Sequence, residues 1–180
     1  MEKKNDTTLV AAVLGGDKLS YAELYDRYTP LIRAICYDTT RNLTDAQDLA
    51  QEVFLRAYEK LGELRDTELF SRWLIGISRM CCKEWLRGHL QLRKHQTTLE
   101  PENLETKEIS NDGQIEELRS AITKLPEKER LALHAFYLQE NSVEDACRTL
   151  DMSKSGFYRI LDRARKRLAK LMQSLPEDKR

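Results

Sequence analysis

Between Ala46 and Leu61 the apolar residues Ala46, Leu49, Ala50, Val53, Phe54, Ala57 and Leu61 recur at i, i+3, i+4 and i+7 spacing. Only a helix gathers residues so spaced onto one face. A helix with such a stripe must bury it against other elements. The same periodicity runs from about Thr7 to Arg93 and again from about Gln114 to Ser174. The common apolar residues are Leu and Ala, and β-branched alternation is scarce, so strands are not expected to dominate. A composition that is 33 % charged and only 7 % aromatic suits small helical cores.

The two periodic stretches are separated by HQTTLEPENLETKEISNDGQ, which is poor in large apolar residues and contains Pro101 and Gly113. There and just beyond, Glu100, Glu102, Glu105, Glu108, Asp112, Glu116 and Glu117 oppose the single cation Lys107. This reads as a flexible acidic linker. The expected architecture is all-α. An N-terminal helix bundle, residues 1–94, and a C-terminal helical domain, residues 114–180, are joined by a linker, residues 95–113.

Charge is distributed as unevenly as hydrophobicity. The whole chain has 30 acidic and 30 basic side chains. Yet Ser153 to Lys170 holds Lys154, Arg159, Arg163, Arg165, Lys166, Arg167 and Lys170 against Asp162 alone. The neutrality is a sum of opposites, and a basic segment of this density is suited to a polyanion.

Other classes find little support. No stretch approaches the roughly 20 apolar residues of a membrane span. The short run LVAAVLGG is followed by Asp17 and Lys18, which does not fit a signal peptide; a cytoplasmic location is expected. Cys36, Cys81, Cys82 and Cys147 form no CxxC pair, and with His89, His95 and His134 they make no zinc-like cluster. They read as buried thiols, with redox sensing as the alternative. Gly15-Gly16 is too little for a phosphate cradle. Neither catalysis nor a cofactor is expected.

Within the N-terminal stretch, Leu19, Ala22, Leu24, Tyr25 and Tyr28 are expected on one side of a helix that Pro30 bends or restarts. Thr44 and Gln47 have the form of a capping box opening the next helix, and Gly62 is a plausible stop. The face opposite its stripe carries Asp45, Asp48, Glu52 and Glu59 with Arg56 and Lys60, while Gln51, Phe54 and Tyr58 fall near its edges. A solvated face and a partner surface are both compatible with this pattern. In LFSRWLIGISRMCCKEWLRGHLQLRK, an apolar stripe of Phe70, Trp73, Leu74, Ile77, Met80, Cys81 and Trp85 is interleaved with Arg72, Arg79, Lys83, Arg87, Arg93 and Lys94. Cations meet phosphates and aromatic faces stack on unpaired bases. The tryptophans could equally be core anchors.

The C-terminal stretch gives QIEELRSAITKL, a helix opened by Pro126 and ended at Asn141, and a short helix capped by Ser142 with Asp145 at the reciprocal position. A tight connection at Asp151-Met152 follows, and Ser153 begins a long basic helix. This order is the outline of a helix-turn-helix. Ser153, Lys154, Ser155, Phe157, Tyr158 and Arg159 would then face the major groove, with Arg163, Arg165 and Lys166 near phosphates. Ile160, Leu161, Ala164 and Leu168 would hold the helix to its neighbours.

Two separated segments together resemble the extracytoplasmic-function (ECF) group of bacterial RNA polymerase sigma factors. DKLSYAELYDRYTPLIRAI is similar to the family's opening helix. DAQDLAQEVFLRAYEKL resembles the surface that binds the clamp helices of the polymerase β′ subunit, and FSRWLIGISRMCCKEWLR the adjoining element that melts and reads the −10 promoter element. ITKLPEKERLALHAFYLQENSVEDACRTLDMSKSGFYRILDRARKRL resembles the −35-reading domain. The resemblance implies that Asp45, Asp48, Gln51, Glu52, Phe54 and Tyr58 dock on the clamp. The loop Gly62 to Leu69 with its Arg65 would cradle a flipped −10 base, and Arg72, Trp73, Arg79, Lys83 and Arg87 would hold the non-template strand. Ser153, Lys154, Ser155, Phe157, Tyr158, Arg159, Arg163, Arg165 and Lys166 would read the −35 element. It further implies core RNA polymerase (β′ clamp and β), promoter DNA and an anti-sigma factor as partners, with the linker running toward the RNA exit path.

The chain departs from the family pattern at three places. Asp151 stands where a turn glycine is usual. Ser155-Gly156-Phe157-Tyr158-Arg159-Ile160-Leu161 replaces Gly-Thr-Val-Lys-Ser-Arg-Leu. Cys81-Cys82 replaces a small-Asn pattern. The main competing reading is a helix-turn-helix regulator that binds a duplex operator as a dimer without polymerase; a protein-interaction adaptor is a third. The regulator would leave the 45–61 segment without a role, and no helix offers a clear dimerisation stripe.

Overall fold

The computed structural model describes residues 4–96, 113–138 and 142–173, and its described residues are helical with no strand. The chain folds as two compact units, Met1–Thr106 and Lys107–Arg180. None of the described helices is long and apolar enough to cross a membrane.

In the first unit, helix α1 spans Asp6–Leu14, α2 Lys18–Thr40, α3 Leu43–Glu59 and α4 Phe70–Gln96. Two 3₁₀ turns, Leu61–Glu63 and Thr67–Leu69, join α3 to α4. The helices pack around Leu9, Val10, Leu24, Leu31, Ile32, Cys36, Val53, Leu61, Phe70 and Leu74, all fully buried. Each large apolar side chain removed from water in this way contributes about 1.5–3 kcal/mol.

Local signals resolve differently from the expectation at several points. Asn42, not Thr44, caps α3: its side chain accepts from the Asp45 amide at 2.9 Å, so the helix starts two residues earlier. Helix α2 runs through Pro30 without ending. A proline inside a helix costs about 3 kcal/mol. Here Leu24 and Tyr28 before it and Leu31, Ile32, Ile35 and Cys36 after it are buried on one core, which holds both halves in register. The stripe of α2 is rotated accordingly: Leu19 is 82 % exposed, and Ala22 also faces solvent. Gly62 lies in the first 3₁₀ turn, after a helix already ended by Lys60. All four cysteines are free and buried.

The second unit contains α5 (Gly113–Thr123), α6 (Glu127–Leu138), α7 (Val143–Leu150) and α8 (Lys154–Gln173). Leu125, Ala132, Leu133, Ala135, Ala146, Cys147, Phe157, Leu161 and Ala164 make its core, with Phe136, Val143, Leu150, Ile160 and Leu168 packed around it. The Arg130 guanidinium donates to the carbonyls of Thr123 and Leu125 at 3.1 and 3.0 Å, satisfying the end of α5. Buried Glu129 on α6 meets Arg167 of α8 at 3.2 Å. Helix α4 reaches Gln96 and α5 opens at Gly113, each slightly inside the expected linker; the rest of that segment and Asn141 lie outside the described residues.

Candidate nucleic-acid interface

Helices α7 and α8 are set against each other by local chemistry. Ser142 Oγ accepts from the Asp145 amide at 3.1 Å, fixing the start of α7. At its end Asp151 adopts φ 53°, ψ 58°, and its amide and that of Met152 close onto the carbonyls of Arg148 and Cys147. Aspartate enters this left-handed region more readily than most residues, though less so than glycine. The turn therefore forms without its usual glycine. Ser153 Oγ accepts from the Gly156 amide at 3.2 Å at the start of α8. A Cβ on Gly156 would approach that same Ser153 Oγ to 3.1 Å, so the small residue preserves the cap.

The side chains expected to meet DNA separate into distinct groups. Phe157 is fully buried and belongs to the core, contrary to its expected place in the groove. Tyr158, beside it, is 55 % exposed. Ser153, Lys154, Ser155, Arg159, Arg163, Arg165 and Lys166 are exposed. Several of the cations are engaged at home. Lys154 donates to Glu144 on α7 at 2.5 Å, a contact that raises the lysine pKa and lowers that of the carboxylate. Lys166 pairs with Asp162 at 2.8 Å. The Arg165 guanidinium lies 5.4 and 5.5 Å from the ring centres of Phe136 and Tyr137, with Nε donating to the Tyr137 hydroxyl at 3.1 Å. Arg159, Arg163 and Lys170 have no hydrogen-bond or ion-pair partner among the described residues. Their spacing of four and then seven residues aligns them along one face of α8.

In the first unit, the 3₁₀ turns and the start of α4 enclose a groove of about 540 Å³. Its lining includes Leu64, Arg65, Leu69, Arg72, Trp73 and Met80. Gly76 also lines it, one turn along α4 from Arg72, and leaves that stretch of wall without a side chain. Trp73 is half-buried, so it serves both core and groove. Arg72, Arg79, Lys83 and Arg87 are exposed on α4 at spacings that keep them on one side. Leu69 and Met80 join the groove without having been expected as individual site residues. Met80 belongs to the apolar stripe by its phase, which alone does not distinguish a core from a groove.

On α3, Asp48, Gln51, Glu52 and Tyr58 are exposed and Asp45 is half-buried beside its cap. Phe54 is only 3 % exposed and is a core residue rather than a docking one. Its ring packs on Tyr25 at 4.5 Å, and its carbonyl accepts from the Tyr21 hydroxyl at 2.5 Å. Burial, with Tyr58 and Tyr25 nearby, pushes the Tyr21 phenol pKa up. Glu52 pairs with Arg56, which also donates to Glu84 of α4 at 2.5 Å. Leu55, 65 % exposed, joins the outer face. It is not among the residues expected there, although a leucine out of phase with the stripe is the signal that marks it. Among the described residues no group of acidic, histidine or cysteine side chains is arranged to hold a metal.

Comparison with known proteins matches sigma-70 region 2 over residues 24–90 and sigma-70 region 4 over residues 115–168. The ECF sigma factor SigM of Mycobacterium tuberculosis is 28 % identical over 173 residues, covering 94 % of this chain and 86 % of the relative. The chain belongs to the ECF sigma factors. The ECF sigma-E factor of Escherichia coli is 29 % identical over 187 residues, with 97 % of each chain covered. In fold, this sigma factor resembles CnrH in a complex with the cytosolic domain of CnrY, at a TM-score of 0.61 and 19 % identity over 95 % of this chain and 99 % of that one. It also resembles RpoE of Bartonella quintana, solved with the anti-sigma factor NepR, at a TM-score of 0.56 and 19 % identity, covering 87 % and 98 %. As an alternative sigma factor, it directs RNA polymerase in promoter recognition and transcription initiation.

Proposed function

We propose that the two units divide the work of initiation. The first docks on the polymerase clamp and opens the −10 element, and the second reads the −35 element. The observation that carries this reading is the sorting of side chains on α8. Phe157, Leu161 and Ala164 anchor the helix. Arg159 and Arg163 project from it without a hydrogen-bond or ion-pair partner among the described residues, beside the exposed ring of Tyr158. A helix placed by a helix-turn-helix with free cations on its outer face suits duplex DNA.

In the first unit a base that leaves the stack needs a pocket, and the groove beside Trp73 and Arg72 supplies an apolar wall with cations at its rim. The basic side of α4 would then carry the displaced strand by phosphate contacts. Asp48, Gln51, Leu55 and Tyr58 form the proposed polymerase surface, with Asp45 and Glu52 at its edge. Residues 95–113 serve as the connector, so that docking of one unit makes docking of the other effectively intramolecular. The protein acts in the cytoplasm, performs no catalysis of its own, and is held inactive by an anti-sigma factor.

A separation of functions tests the assignment. Asp48→Arg is the cleanest clamp variant, because reversing Glu52 would also disturb the Arg56 bridge to Glu84. It should abolish co-purification with core polymerase and preserve −35 binding. Arg159→Glu with Arg163→Glu should do the reverse, lowering the salt dependence of duplex binding by about two phosphate contacts. Wild-type co-purification of Asp48→Arg would remove the clamp assignment. Unchanged promoter footprints in the α8 variant would remove the −35 assignment.

A further inference from the structure

Helix α1 lies ahead of the residues that match region 2, and it packs against both 3₁₀ turns as well as α2 and α4. Its first residue, Asp6, is buried. One carboxylate oxygen accepts from Arg27 at 2.6 Å, and the other accepts from the Tyr28 hydroxyl. Arg27 also holds the Lys4 carbonyl at 2.8 Å and Glu23 at 3.1 Å. Burial, with the Asp6 carboxylate next, pushes the Tyr28 phenol pKa up, so the phenol keeps its proton and remains a donor. The Tyr28 ring meets Phe70 edge-on at 5.6 Å, and Phe70 packs on Trp73 at 6.0 Å. Trp73 lines the groove.

We infer that Asp6 and Tyr28 are positioning residues for promoter opening: through Phe70 they fix Trp73 against the groove, and α1 braces the turns that form the rest of its wall. The inference rests on the reading of that groove as the −10 site. A buried carboxylate held by two donors has one arrangement, whereas an unbraced ring at the rim of an open groove has several rotamers. Misplacement of a contact group by about 1 Å can cost up to a hundredfold in rate.

The test uses the full chain assembled with core polymerase on a promoter carrying a fluorescent base analogue in the −10 element. Asp6→Asn and Tyr28→Phe should each slow opening about tenfold at saturating promoter. The double variant should be no slower than the slower single one, because both break the same support. Tyr28→Phe retains the ring contact with Phe70, so it tests the hydrogen bond without removing the ring. Polymerase affinity and −35 binding should be unchanged, which a merely unfolded first unit could not achieve. Wild-type opening in both variants, additive losses, or loss of polymerase binding together with opening would overturn the inference. Trp73→Ala separates the two levels. If it too opens promoters normally, the groove reading fails and takes the inference with it. If it is defective while Asp6→Asn and Tyr28→Phe are normal, only the relay fails.

Discussion

Phe157→Ala and Tyr158→Ala should have opposite consequences although the residues are neighbours. The first removes a fully buried ring from the second unit's core and should cost about 3–5 kcal/mol of that unit's stability. The second removes an exposed ring, should stay within about 0.5 kcal/mol in stability, and should weaken −35 binding. Thermal unfolding followed alongside duplex binding checks both. Phe157 is expected at the groove because its neighbours in sequence are there. A step of one residue turns a helix by about 100°, and the turn at Asp151 sets the phase that decides which aromatic goes inward. Arg165 illustrates a different limit. Its cationic character is legible, but its seat on Phe136 and Tyr137 depends on α6 packing against α8, which no local pattern encodes.

Elements are legible where the chain carries its own stop and start signals. Ser142 caps α7 and Ser153 caps α8 as their side-chain chemistry suggests. The helix through Pro30 is not legible, because burial on both sides of the proline overrides its local preference. Asn42 displaces Thr44 as the cap of α3 because its side chain accepts from the Asp45 amide, which starts the helix two residues earlier. The Asp151 turn yields a prediction at this scale. Asp151→Gly removes a left-handed aspartate at the cost of a more flexible unfolded chain. The net should be a gain of about 0.5–1 kcal/mol in the second unit, read as a higher denaturant midpoint with an unchanged slope. A β-branched residue such as valine there should lower the midpoint.

At the scale of the whole molecule, the all-α class, the division into two helical units and the basic helix are all legible, because periodicity and charge are local properties of the chain. The groove beside Trp73 is legible only through resemblance. Its wall is drawn from two 3₁₀ turns and one helix that come together in the fold. The α1 support is not legible at all, since Asp6 and Tyr28 lie 22 residues apart and no local pattern pairs them. The central claim is that this chain programs a polymerase instead of occupying an operator. It is tested by mixing the purified protein with sigma-free core RNA polymerase and sequencing run-off transcripts from fragmented genomic DNA of the source organism. The expected result is a set of discrete start sites preceded by two shared elements at a fixed spacing, and none without the protein. Absence of such transcripts from a folded, partner-free sample that instead binds a palindromic duplex tightly on its own would contradict it.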